Sequence, residues 1–106
     1  MSDTSVYLIV ELEITEPERF WSDYAAHLAP IHERHGVEIL LGGPPAEIVE
    51  GVVAQNFVAV LRFPSAAAQR AWYEDPEYQP LKARRLGTTN SETSRVMLAP
   101  AFASPG

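Results

Sequence analysis

Residues 5–14, SVYLIVELEI, alternate with period two. Leu8, Val10, Leu12 and Ile14 fall on one wholly apolar face, and Tyr7, Ile9, Glu11 and Glu13 on a mixed one. Side chains in a strand point alternately to its two faces, so this is a strand with one face in a core and the other against something partly polar. The period then changes. Phe20, Tyr24, Leu28, Ile31 and His35 recur at helical spacing, and Thr15, Pro17 and Glu18 predict the helix start through a capping box with proline in the first turn. Pro30 predicts a kink or the last turns, and Gly36 the C-terminal cap.

VEILLGG predicts a second strand ended by Gly42, Gly43, Pro44 and Pro45, with AEIVEG as a possible extension beyond a bulge or turn. A third strand is expected over Asn56–Phe63 and stops at Pro64. Ser65 is a suitable cap for an alanine-rich helix to about Glu74. Asp75-Pro76 repeats the cap-then-proline signature, so a further short helix is expected from there to about Leu86. Polar GTTNSET is a loop, SRVMLAPAF the last strand, and residues 101–106 a flexible tail. The order is β-α-β-β-α-β with the second helix broken at Asp75-Pro76. The expected fold class is therefore α+β: a ferredoxin-like, four-stranded antiparallel sheet with helices on one face. The mixed face of the first strand is too apolar for plain solvent, so two sheets are expected to meet face to face in a homodimer.

Composition narrows the functional classes. With 106 residues the chain is one domain, its core spanning about residues 5–100. A net charge of −6 repels phosphate backbones and anionic lipid, which argues against nucleic-acid and membrane partners. No cysteine is present, so disulfides, thiolate catalysis and cysteine metal sites are excluded. Glu11 and Glu13 interrupt the first apolar run, which lacks a basic flank and so does not read as a signal peptide. A soluble, cytoplasmic protein is the expectation.

Several phrases together resemble the domain of unknown function 1330 (DUF1330) family, within the dimeric α+β-barrel superfamily: YLIVELEITEPERF, HGVEILLGG, VLRFPSAAAQRAWYEDPEYQPLKARR and SRVMLAP. The most specific elements are Phe63-Pro64-Ser65, Ala71-Trp72-Tyr73, Pro76-Glu77-Tyr78 and Arg85. The chain departs from that pattern after the first helix. Val37 stands for a glycine, Ile39 for an aromatic residue and Gly42 for an arginine. The resemblance implies the fold and the dimer but no single activity. The superfamily covers cofactor-free monooxygenases, isomerases, cyclases, lyases and ligand-sensing domains.

Three sets of residues carry candidate chemistry. Trp72, Tyr78 and Arg85 fall on converging helix faces, where aromatic rings could hold a planar ligand and the guanidinium an anion. The alternative has the rings in the core and Arg85 paired with Glu74 or Asp75. Tyr7, Tyr24 and Tyr73 are the further candidate substrate contacts. Glu11 on the mixed strand face is a candidate acid or base, or else the partner of Arg62 or Arg95. His35 is a candidate proton carrier, or else a cation at its helix C-terminus. His27, His32 and His35, with Asp23, lack metal-site spacing, and no metal or cofactor is expected. Ser65 lacks the glycines of a nucleophile elbow, and LLGGPP does not open onto a helix as a phosphate loop does. The expected function is a small cofactor-independent enzyme acting on a hydrophobic oxygenated metabolite. Proton transfer of the isomerase, cyclase or lyase type comes first, by Glu11 or His35 with Arg85 steadying the anion. The alternatives are a cofactor-free monooxygenase or a non-catalytic binding or assembly dimer.

Overall fold

The structure, a computed structural model, describes residues 4–102. Its four strands are β1 (Val6–Leu12), β2 (Glu38–Gly43), β3 (Phe57–Phe63) and β4 (Arg95–Pro100). They form one antiparallel sheet in the order β2-β3-β1-β4, the ferredoxin-like arrangement expected from the chain order. The period-two pattern of β1 decides which side is covered. Leu8 lies between Leu61 and Leu98, and Val10 between Ala59 and Val96, on the side that packs against the helices. Tyr7, Ile9 and Glu11 face the other way, beside Arg62, Val60 and Val58 of β3 and Ala99, Met97 and Arg95 of β4.

The first helical unit is broken into four parts rather than continuous. It runs through α1 (Pro17–Arg19), a π-helical turn (Phe20–Tyr24), a 3-10 turn (Ala25–His27) and α2 (Ala29–Arg34). The capping box from Thr15 does not form. Its cap position is Glu16 without a side-chain bond, because the Thr15 and Glu16 amides both donate to the Thr88 carbonyl and extend the pairing begun by an Ile14–Thr89 bridge. Pro30 restarts the helix: it has no amide to offer the carbonyl one turn back, and it sits in the first turn of α2. The π turn keeps Phe20 and Tyr24 both buried over the sheet. Gly36, at φ 69°, ends the unit as expected, with the Val37 amide donating to the His32 carbonyl in a Schellman closure.

β2 bulges between Ile39 and Leu41, two residues before the glycine pair where a bend was expected. Residues 46–51 are not a strand: Pro44 and Pro45 cannot donate to a ladder, and the chain leaves the sheet there. Ser65 caps α3 (Ala66–Glu74), its Oγ accepting from the Ala68 amide at 3.0 Å. Asp75 closes α3 and accepts the Glu77 amide at 2.9 Å, so Asp75-Pro76 forms a turn and α4 (Tyr78–Gly87) begins two residues later than expected. Pro80 lies in the first turn of α4, where its missing amide costs little. Residues 101 and 102 are irregular, and the rest of the expected tail lies outside the described residues. Among the described residues, no helix is long and apolar enough to cross a membrane.

Candidate functional site

Helices on one face of the sheet leave a space that the side chains do not fill. A cavity of about 350 Å³ lies between the sheet and the helical layer, within one chain. That volume is in the range of small-molecule sites. Its walls are overwhelmingly apolar, contributed by all four strands, the first helical unit, α3 and α4. The polar side chains that reach it are those of Tyr24, His32, Trp72, Tyr73, Tyr78 and Arg85.

The break at Asp75-Pro76 brings the second helical unit's contribution together. Trp72 is 2% exposed at the end of α3, and Tyr78 is 1% exposed at the start of α4. Their ring centroids lie 4.5 Å apart. Tyr78, Leu81 and Arg85 are the buried residues of α4, at the three- and four-residue spacing that defines one helix face.

Arg85 decides the character of the cavity. It is only 7% exposed, and its Nε has no hydrogen-bond partner. No carboxylate lies within 4.0 Å of it among the described residues. The two acids expected from the sequence to neutralise it are elsewhere. Asp75 binds Arg34 Nη1 at 2.6 Å and His35 Nε2 at 2.7 Å, and Glu74 is exposed. A buried cation normally has a counter-charge. Here its neighbours are phenols: burial pushes the Tyr78 and Tyr24 hydroxyls above the ordinary tyrosine range, and the Arg85 charge works against that shift in both.

The remaining polar groups are hydrogen-bonded in a way that leaves donors. The Tyr24 and Tyr78 hydroxyls bond each other at 2.8 Å, and whichever accepts retains its own proton for a further partner. Trp72 Nε1–H donates to His32 Nδ1 at 3.1 Å, and the two rings stack at 29°. An indole nitrogen can only donate, so His32 Nδ1 is an acceptor and the imidazole carries its proton on Nε2. Burial lowers the His32 pKa and keeps the ring neutral. Arg85, the tyrosine pair and His32 therefore offer a ligand hydrogen-bond donors. Such an arrangement suits an oxyanion and, among the described residues, has no carboxylate or free imidazole nitrogen in its lining to take up a proton.

Of the residues singled out from sequence, Tyr24, Trp72, Tyr73, Tyr78 and Arg85 line the cavity together. Tyr73 sits at the rim with the Lys82 ammonium 4.6 Å from its ring centroid. Tyr7 and Glu11 lie on the opposite face of the sheet, where Glu11 Oε1 accepts from Arg95 Nε at 2.7 Å. His35 lies outside the cavity lining, in the cluster with Asp75 and Arg34, and that cluster holds the Asp75 carboxyl down at about 2, chiefly through the His35 bond. His32 is the site residue that sequence reasoning passed over, having weighed it only as a metal ligand. Its signal was its place one turn after Leu28 and beside Ile31, on the buried side of the helix. Among the described residues, no cluster of three metal-ligating side chains occurs.

A family model, Domain of unknown function (DUF1330), matches residues 5–98. The chain belongs to the DUF1330 family. No curated protein matches its sequence. Solved structures show its fold widely. RPA0582, a protein of unknown function from Rhodopseudomonas palustris, is 17% identical with a TM-score of 0.80 over 97% of this chain and 86% of that one. A dimeric ferredoxin-like protein of unknown function from Jannaschia sp. CCS1 is 19% identical with a TM-score of 0.74, over 92% and 99%. SnoaB, a cofactor-independent oxygenase from Streptomyces nogalater, is 16% identical with a TM-score of 0.68, over 95% and 96%. At these identities the DUF1330 chain shares their fold, and activity has to be argued from its own cavity.

Proposed function

We propose that this DUF1330 chain is a small cofactor-independent enzyme that binds a hydrophobic, enolisable, oxygenated metabolite in the intra-subunit cavity and oxygenates it. The observation that carries the reading is Arg85, a buried guanidinium with no carboxylate partner among the described residues, on a largely apolar cavity. A ligand enolate or phenolate supplies the missing counter-charge. Flat rings pack against Trp72 and Tyr78, while Arg85 and the tyrosine hydroxyls hold the oxyanion.

Stabilising the anion lowers the cost of removing a proton from an activated methylene carbon, and that proton passes to water. The resulting carbanion gives its electron pair to dioxygen, a C–O bond forms, and protonation yields a hydroperoxide. Cleavage of its O–O bond with loss of the remaining C–H proton leaves a ketone and water. Overall, CH2 and O2 become C=O and H2O, with the substrate as the only reductant. The tyrosine pair and His32 Nε2–H are donors suited to the peroxide anion. Isomerase, cyclase or lyase chemistry relays protons through a protein acid or base beside the substrate, whereas the oxygenation above passes its proton to water. Glu11 and His35 are held outside the cavity, which favours oxygenation over proton shuttling. The fold shared with a cofactor-independent oxygenase is consistent with that preference.

The same reading includes a homodimer through the helix-free face of the sheet. Ile9, Val58, Val60 and Met97 form an apolar centre there, flanked by the Glu11–Arg95 and Glu38–Arg62 pairs. The test of function is dioxygen uptake with anthrone, an aromatic ketone with one activated methylene. The expected result is uptake that saturates with anthrone, yields the quinone and collapses in Arg85→Gln. Binding without uptake would assign the chain to ligand carriage instead.

A further inference from the structure

We infer that Gly42 sets the size of ligand that the cavity admits, by leaving a bare trough across the floor of the sheet. The inference rests on reading the cavity as a small-molecule site and goes beyond it to the shape of the ligand.

Two adjacent glycines end β2, and they are there for different reasons. Gly43 has φ 146°, a backbone conformation that side-chain-bearing residues rarely adopt. Gly42 has no such constraint. A Cβ built on it would meet only the Ala59 Cβ at 3.9 Å and Ile39 Cγ2 at 4.0 Å, both ordinary contacts. Neither backbone geometry nor crowding requires glycine at 42, and glycine weakens a strand interior. What glycine provides is space, because Gly42 lines the cavity.

The bulge in β2 puts it there. Ile39 pairs with Leu61 on the helix side of the sheet, Leu41 with Val60 on the open side, and Gly42 with Ala59 on the helix side again. Were Leu40 paired as a regular strand residue instead of bulged out, the alternation from Ile39 would turn Leu41 toward the cavity. The bulge thus exchanges a leucine for a glycine on the cavity floor. The row continues across the sheet through Ala59 and Val10 to Val96, all four of which line the cavity. Beside it runs a row of larger residues, Leu61 and Leu8. A row of short side chains beside leucines is a trough, suited to an extended flat ring system. Arg85, more than nine-tenths buried and unpartnered at its Nε, independently marks the same cavity as built for a ligand.

Gly42→Leu tests the trough, with α-naphthol as a two-ring probe and anthrone as a three-ring probe, each followed by quenching of tryptophan fluorescence. Wild type is expected to bind both. Gly42→Leu is expected to weaken anthrone by about tenfold or more while leaving α-naphthol within about twofold, since a pocket discriminates by size at that scale. Gly42→Ala is expected to melt no lower than wild type. Should Gly42→Leu fail to fold, Ala59→Val at the paired position carries the same expectation. Unchanged anthrone affinity in a folded variant overturns the inference alone, and so does equal loss of both probes. A wild-type chain that binds neither probe overturns the small-molecule reading together with it.

Discussion

Arg85→Met is expected to make the ligand-free protein more stable and the site useless. The wild-type guanidinium is 7% exposed and, among the described residues, faces no carboxylate and leaves its Nε without a partner. The Tyr24 and Tyr78 hydroxyls are polar neighbours that offset part of its desolvation. Exchanging buried charged groups for apolar ones of similar volume is often stabilising, by about 1–4 kcal/mol. For a domain of this size about 1 kcal/mol moves Tm by roughly 4–8 °C, so a rise of at least about 4 °C is expected. The bound anion, by contrast, loses a charge-assisted contact of about 1.5–3 kcal/mol. That corresponds to roughly a tenfold to 150-fold weaker Kd. Scanning fluorimetry and an anthrone titration on the same two proteins measure both effects, and their opposite signs are the signature of a residue retained for function. A Tm that falls by several degrees with unchanged affinity would refute the reasoning, because Arg85 would then be a satisfied structural group.

Other consequences follow from the same geometry. Burial depresses the His32 pKa, so the unfolded chain binds that proton more readily; stability is expected to fall as pH drops below about 6.5, and His32→Gln to flatten that part of a denaturation-midpoint profile. Asp75 behaves likewise at lower pH. Its folded pKa of about 2 lies below the usual 3.8, so its contribution is present above about pH 4, lost on approach to pH 2, and absent in Asp75→Asn. Trp72→Phe leaves His32 Nδ1 without its donor and is expected to cost about 1–3 kcal/mol in chemical denaturation beyond the loss of ring area. Val60→Glu on the open sheet face is expected to convert a dimer to a monomer in analytical ultracentrifugation, and a wild-type monomer would contradict the proposed interface.

Much of this molecule was legible in its sequence where a local rule governs. Strand alternation identified the covered face of β1, because period two admits no other assignment once one face is wholly apolar. Ser65 announced α3 because an N-cap acts within one turn. The Asp75-Pro76 break predicted that Trp72, Tyr78 and Arg85 would converge, and they do so at one cavity. The departures come from contacts across the chain. Thr15 was a sound cap locally, but Thr88 offered its amide a strand-like partner 73 residues away (88 − 15). Asp75 was a reasonable counter-ion for Arg85 until Arg34 and His35, arriving from the first helical unit, took it. Glu11 and His35 carried chemistry in the sequence, but strand parity turns Glu11 to the open face of the sheet, where it pairs with Arg95, and His35 lies outside the cavity lining, bonded to Asp75.

Two features had no local signature. The tautomer of His32 is set by Trp72, 40 residues away, through a single hydrogen bond. The cavity itself is an absence of side chains. A glycine at 42 looks in sequence like the start of a turn, and only the bulge at Leu40 turns it into open floor. Space between layers depends on the parity of every strand that bounds it, so one inserted residue decides it.

The most direct test of the central claim is a structure of the protein with anthrone in its enolate form. The rings are expected within the cavity between Trp72 and the sheet, with the ligand oxygen at hydrogen-bond distance from the Arg85 guanidinium. A ligand held elsewhere, or an Arg85 turned away to a carboxylate of the protein with the cavity collapsed, would contradict it.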